Sequence, residues 1–338
     1  MQNVLITLPL FCFILTYKML FKEILDEKYT TLRPNFEKLY QQVIRNQTHD
    51  TDLLLIRINA FYNPEVYTWD NIHPQPSPYM FGPNSEGHSE YTHFDFIGEY
   101  VKNNTSAQPM DNYLEQVKYN EHRREEIDAL TFAESISIQT EMLIYLKIWE
   151  SDMFIKKFYQ MTNLMDKQPY DWHFKLSTSN RQPKTSDETT GFILTPTGTR
   201  DVIIRTKIRD KFKKRIPELY NAFKKSYNGQ IRNSIAHSQY SILGRYIQLN
   251  NYISDDPYSQ LKVLSFDDWI NRFHETLVIY TLYREFFERV NNNYGQLALR
   301  NGKMLQIRIN RKDPEEKVEF GVLHYREFFK DWGPEPDR

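Results

Sequence analysis

The hexapeptide Arg232-Asn233-Ser234-Ile235-Ala236-His237 places a guanidinium, a carboxamide and an imidazole within six residues. An arginine fork grips phosphate oxygens, and an imidazole transfers protons near neutral pH. RNA carries its own nucleophile, the ribose 2′-hydroxyl. Positioning, proton transfer and charge stabilisation therefore suffice for in-line attack on the phosphorus, with no metal. In this reading His237 is the general acid/base and Arg232 stabilises the pentacoordinate phosphorane. Asn233, four residues before His237, fixes the imidazole's orientation. The products would be a 2′,3′-cyclic phosphate and a 5′-hydroxyl.

Such residues need a helix to hold them and a positive surface to bring RNA to them. Asn228-Gly229 is a helix-ending pair, which predicts a new helix from about Gln230 through Ile231, Ile235, Ile242, Leu243 and Tyr246. The hexapeptide would then lie at a helix start, where free N–H groups and the helix dipole favour an anion. Small Ser234 and Ala236 leave room for a substrate backbone. Upstream, the window from Arg200 to Asn233 holds eleven Lys or Arg against Asp201, Asp210 and Glu218, a local excess of about +8. Lys207, Lys211, Lys214, Arg215, Lys224 and Lys225, with Ser234, are the expected RNA contacts. Lys175, Arg181 and Lys184 sit in a preceding loop within reach of a ligand.

The chain as a whole is not basic: its formal net charge is -1 over 338 residues. At 40% hydrophobic and 15% aromatic it can bury a substantial core. Its single cysteine, Cys12, rules out an intrachain disulfide and points to a reducing, cytoplasmic setting. His73, His88 and His93 match no metal-ligand spacing and read as surface or packing residues. No phosphate-binding glycine loop, dinucleotide fingerprint or serine nucleophile elbow is present. No cofactor and no metal are expected.

Four regions follow from composition and periodicity. Residues 1–22 are an apolar segment, with residues 4–21 either a buried helix or an anchor in the inner membrane. Residues 23–124 join a helical stretch from Phe21 to Ile56, in which Pro34 begins a new helix, to a proline-rich irregular segment from Asn63 to Gly87. Residues 125–295 are predicted to be a helical bundle. Its strongest signal is the broad apolar face from Glu125 to Leu164, with Glu141 and Glu150 exposed at its edge. A second long helix starts near Arg200 and is kinked at Pro217, and a last one spans Phe266 to Asn291. Residues 296–338 carry a β-hairpin, since Leu305-Ile307-Ile309 and Val318-Phe320-Val322 alternate on either side of Arg311-Lys312-Asp313-Pro314. The fold class is mainly α with a small carboxyl-terminal hairpin and long loop insertions.

Arg-Asn-x-x-x-His in an all-helical bundle resembles the Arg-x(4 to 6)-His signature of the HEPN superfamily (higher eukaryotes and prokaryotes nucleotide-binding), in which Asn, Asp or His often follows the Arg. The resemblance covers about Glu125 to Asn291. It implies a HEPN-like bundle and a metal-independent endoribonuclease (an RNA hydrolase) of abortive-infection, toxin or CRISPR-associated antiphage systems. It also implies a composite site built from the Arg and His of two copies, and so a homodimer or higher oligomer, with an antitoxin or other defence protein as a partner. Two alternatives share the resemblance: a non-catalytic RNA- or nucleotide-binding module, and a membrane-associated effector acting through its amino-terminal apolar helix.

Overall fold

Capping side chains set where the helices begin and end. The computed structural model describes residues 18–63, 78–81, 85–177, 185–186, 193–194, 197–312 and 316–334, with the side chains of 85–89, 185–186 and 193–194 excepted. Residues 4–17 of the apolar segment, His73, the side chain of His88, Arg181 and Lys184 lie outside the described residues. Helices α1 (Lys22–Asn46) and α2 (Asp52–Ile58) replace the single stretch expected from Phe21 to Ile56. The Asp52 carboxylate makes the break by accepting from the Thr48 and His49 backbone N–H groups at 3.1 and 3.0 Å. Pro34 does not begin a helix but lies within α1. Leu32, Phe36, Leu39 and Val43, buried around it, oppose the roughly 3 kcal/mol cost of an interior proline.

Helices α3 (Ser85–Asn104) and α4 (Met110–Gln116) lead to α5 (Arg124–Trp149) and α6 (Asp152–Met165). Periodicity alone joins the last two into one element. They separate at Ser151, whose hydroxyl accepts from the Phe154 N–H at 3.3 Å and caps α6.

The segment expected as one long helix from Arg200 is also divided. One turn, α7 (Arg200–Val202), leads into a π-helix at Ile203–Arg209 and another short turn, α8 (Asp210–Phe212). Pro217 then opens α9 (Pro217–Ser226) instead of kinking a helix, because the first turn needs no proline N–H. Helix α10 (Gly229–Ala236) is short. A three-stranded sheet follows, made of β1 (Tyr240–Leu243), β2 (Tyr246–Leu249) and β3 (Val263–Ser265) in the order β3-β2-β1. Ile242, Leu243 and Tyr246, expected on a helix, therefore lie on strands.

Helix α11 (Phe266–Arg300) runs nine residues beyond the expected end and packs against α1, α2, α5 and α9. Aromatic edges fill the space between these helices: Phe154 lies 4.9 Å from both Phe158 and Tyr283, and Phe158 lies 5.0 Å from Phe223. The expected hairpin is formed by β4 (Met304–Arg311) and β5 (Lys317–Arg326), paired antiparallel from Met304 opposite His324 to Arg311 opposite Lys317. A short strand, β6 (Asp331–Gly333), adds to β5. The fold is mainly helical with small sheets.

Among the described residues no helix is long and apolar enough to cross a membrane. Met19, Leu20 and Phe21, the carboxyl end of the apolar run, are buried. Met19 and Phe21 cluster with Tyr113, Val117 and Ile270, and Leu20–Phe21 pairs in parallel with Thr105–Ser106. That end of the run belongs to the fold and does not face lipid.

Candidate active site

Two tethers place α10. The Tyr145 hydroxyl donates to the Ser226 carbonyl at 3.0 Å and accepts from the Asn228 N–H at 3.1 Å, fixing the turn between α9 and α10 against α5. The Asn228 side chain accepts from the Ile231 N–H at 2.9 Å and caps α10. The hexapeptide therefore starts at the fourth residue of α10 and ends one residue beyond it. It does not occupy the helix start. The space beside Gly229 at that start is filled by the Asp201 carboxylate, into which any Cβ would run. A carboxylate of the chain itself thus lies beside the start of α10.

Helix α10 closes by a Schellman arrangement. Ser238 adopts φ +53, its N–H reaches the Ile235 carbonyl at 3.2 Å, and the Gln239 N–H reaches the Ser234 carbonyl at 2.7 Å. Ser234 is 0% exposed and its hydroxyl donates to the Gln239 carbonyl. This corrects its expected role: Ser234 is sealed from any RNA and instead clasps the turn that presents His237.

His237 is exposed, and its imidazole has no hydrogen-bond partner among the described residues. Its backbone N–H bonds the Asn233 carbonyl at 3.0 Å. The Asn233 carboxamide is also exposed and makes no bond to the ring, so it does not orient the imidazole as expected. Five residues of α-helix separate Arg232 and His237 by about 140° around the axis.

Arg232 points into the protein. Its side chain is 14% exposed, and its guanidinium is ion-paired with Glu150 at the carboxyl end of α5. Arg200 holds the same carboxylate at 3.4 Å and Asp152 at 2.5 Å. Alongside, Asp201 accepts from the Tyr227 hydroxyl at 3.1 Å and pairs with Arg205 at 3.1 Å. Burial works against the Arg232 charge, but Tyr227, Glu150 and Asp201 hold the guanidinium more firmly protonated than usual. Burial, and then the Asp201 charge, push the Tyr227 hydroxyl well above the ordinary tyrosine value. Three cations and three carboxylates thus balance around Arg232. Nothing in the local sequence marks Glu150, Asp152, Asp201 or Tyr227 for this role.

The basic window is partly neutralised in the same manner. Lys211 and Arg215 pair with Asp166 at 2.6 and 2.9 Å, and Arg209 pairs with Asp210 at 2.8 Å. The Lys207 ammonium is directed to the Thr197 carbonyl at 2.8 Å. Lys214, Lys224 and Lys225, with Lys213, are exposed and have no carboxylate partner among the described residues. Of the expected RNA contacts, Lys214, Lys224 and Lys225 are thus the most available. Lys175 is exposed too.

Glu141 overturns its expected exposure. It is 0% exposed, accepts from Trp269 Nε1 at 2.6 Å and lies 3.5 Å from the Tyr100 hydroxyl. Burial pushes its carboxyl up to about 8, and the neighbouring Glu134 charge adds to the effect. It lies in the interior between α5 and α11. No group of three or more His, Cys, Asp or Glu among the described residues could hold a metal.

Comparison with protein-family models, curated proteins and solved structures finds no match.

Proposed function

We propose that this chain is a metal-independent endoribonuclease of the HEPN type, serving in a toxin, abortive-infection or CRISPR-associated defence system. The observation that carries this reading is the presentation of His237. A clasp from the buried Ser234 hydroxyl to the Gln239 carbonyl holds the turn that leaves its imidazole free and exposed, one residue beyond the helix that bears Arg232. In the reaction His237 takes the 2′-hydroxyl proton as the oxygen attacks phosphorus. It then protonates the departing 5′-oxygen, leaving a cyclic phosphate and a 5′-hydroxyl. Because Arg232 and His237 of one chain lie about 140° apart around the helix axis, the site is composite: Arg232 of a second copy stabilises the phosphorane once a phosphate oxygen replaces the Glu150 carboxylate on its guanidinium. Lys214, Lys224 and Lys225 attract the strand.

One observation favours a second reading. Arg232 is already ion-paired with Glu150 within a single chain, which suits a module that binds RNA or nucleotide without turnover. Incubating the purified chain with single-stranded RNA in EDTA separates the two. The nuclease reading expects cleavage to 2′,3′-cyclic ends, lost in Arg232→Ala and His237→Ala. Intact RNA with the unaltered chain, or equal cutting by the variants, refutes it.

A further inference from the structure

Helix α5 carries apolar side chains on its outer face as well as its inner one. Its inner face carries two fully buried glutamates, Glu134 and Glu141, while Phe132, Ile136 and Leu143 on its outer face are 70, 38 and 59% exposed. A helix that is apolar on its outer side as well as its inner side is normally covered on both.

Asp128, Phe132, Ile136, Gln139, Leu143 and Lys147 follow at intervals of three or four residues and form one exposed row. The row has a self-complementary order. Laid antiparallel to itself, it sets Asp128 against Lys147, Phe132 against Leu143 and Ile136 against Gln139, and each pairing recurs on the other side of the midpoint. Parallel pairing would instead oppose Asp128 to Asp128 and Lys147 to Lys147.

We propose that this row is the surface through which two copies of the chain associate, with their α5 helices antiparallel across a two-fold axis. A two-fold contact requires one patch to complement itself, and acid–apolar–apolar–polar–apolar–base does so in one direction only. Asp128 has Arg124 no nearer than 3.9 Å, so its carboxylate is available to a partner's lysine. Lys147 stands 5.7 Å above the ring of Phe96, which is itself 45% exposed and adds an apolar ring from α3 beside that end of the row. The paired rows would run about 28 Å along the helices.

The pairing is independent of the ribonuclease reading, since it rests on α5 alone and is measured without RNA. It also constrains that reading. The two Glu150 ends, each holding its own Arg232, fall about 37 Å apart along the paired helices. A site built from both Arg232 side chains would need a further contact between copies.

The test is the mass of the intact chain by size exclusion with light scattering, with circular dichroism to confirm that each variant folds. The unaltered chain should run at twice its monomer mass. Asp128→Lys and Lys147→Asp should each raise the dissociation constant about tenfold, because each converts two attractive contacts into repulsive ones, and the double reversal should restore it. Phe132→Ser, at an exposed position that the fold does not require, should leave a folded monomer. A monomeric unaltered chain, a dimer indifferent to these changes, or a double reversal no better than either single one overturns the proposal.

Discussion

Replacing Glu141 by Gln should make the protein more stable at alkaline pH while changing little in acid. The carboxyl is pushed from 4.5 to about 8 in the folded chain, so between those values the folded state holds a proton that the unfolded state has released. The stabilisation from that proton is fully present below 4.5 and is lost as pH rises through about 8. A tenfold difference in proton affinity between the two states corresponds to about 1.4 kcal/mol, so the loss approaches about 5 kcal/mol across the whole window. The lower part of the window is shared with His274. Burial lowers its imidazole from 6.5 to about 4, held between the Phe21 N–H and the Ile270 carbonyl. That group destabilises the fold as pH falls from 6.5 and masks the glutamate there. From pH 6.5 to 8 Glu141 acts without it, and wild-type stability should fall by about 2 kcal/mol because of this one group. The glutamine carbonyl can still accept from Trp269 and carries no charge to bury. The difference between Glu141→Gln and wild type, measured by urea unfolding at each pH, should therefore grow by about 2 kcal/mol over that interval. Parallel curves for the two proteins would refute the reasoning, since they would mean that Glu141 keeps the same protonation folded and unfolded.

Glu150→Gln should cost about 1 kcal/mol of stability, because the ion pair with Arg232 is one-third exposed on the carboxylate side. It should also tighten binding of single-stranded RNA in a filter assay by removing the carboxylate that competes with phosphate; unchanged or weaker binding would mean that no competition exists. Arg245→Met should be far more costly, about 3–5 kcal/mol in chemical denaturation. It strips the 2.8 and 3.0 Å bonds from the fully buried Glu134 and leaves that charge uncompensated, and Glu134→Gln in the same chain should recover part of the loss.

Much of the fold can be read from periodicity, and most of the site cannot. The apolar spacing of α11 and the strict alternation of β4 and β5 leave little choice of element. The breaks at Ser151 and Ser238 are harder, because serine is tolerated inside helices and is uncommon in the left-handed conformation that ends α10. Apolar spacing continues across both serines, and so it joins α5 to α6 and extends α10 beyond its true end. At the site, Arg232 and His237 are close in sequence, but the groups that decide their state are remote. Glu150 is 82 residues from Arg232, and Asp201 reaches α10 only because Gly229 leaves space for it. Glu141 is a different case, since a carboxylate beside an apolar stripe is usually solvated. Here Trp269 Nε1 supplies the hydrogen bond that makes its burial tolerable.

The charge balance around α10 changes what the basic window can contribute to RNA binding. If all eleven cations between Arg200 and Asn233 met phosphates, the logarithm of affinity for a single strand would fall with that of salt at a slope of about -8. Six of them are already paired with carboxylates, and a cation that keeps its carboxylate neutralises no phosphate and releases no counterion from the strand. Lys213, Lys214, Lys224 and Lys225 are the exposed lysines without such partners among the described residues, which reduces the expected slope to about -3. Arg232 then adds placement more than affinity: Arg232→Ala should abolish cutting while leaving the slope nearly unchanged, whereas Lys224→Ala with Lys225→Ala should reduce it by more than about 1. Titrating RNA binding between low and moderate salt measures both. A slope near about -8 would mean that the ion pairs open wholesale on binding and all eleven cations meet phosphates, which would refute the neutralised window.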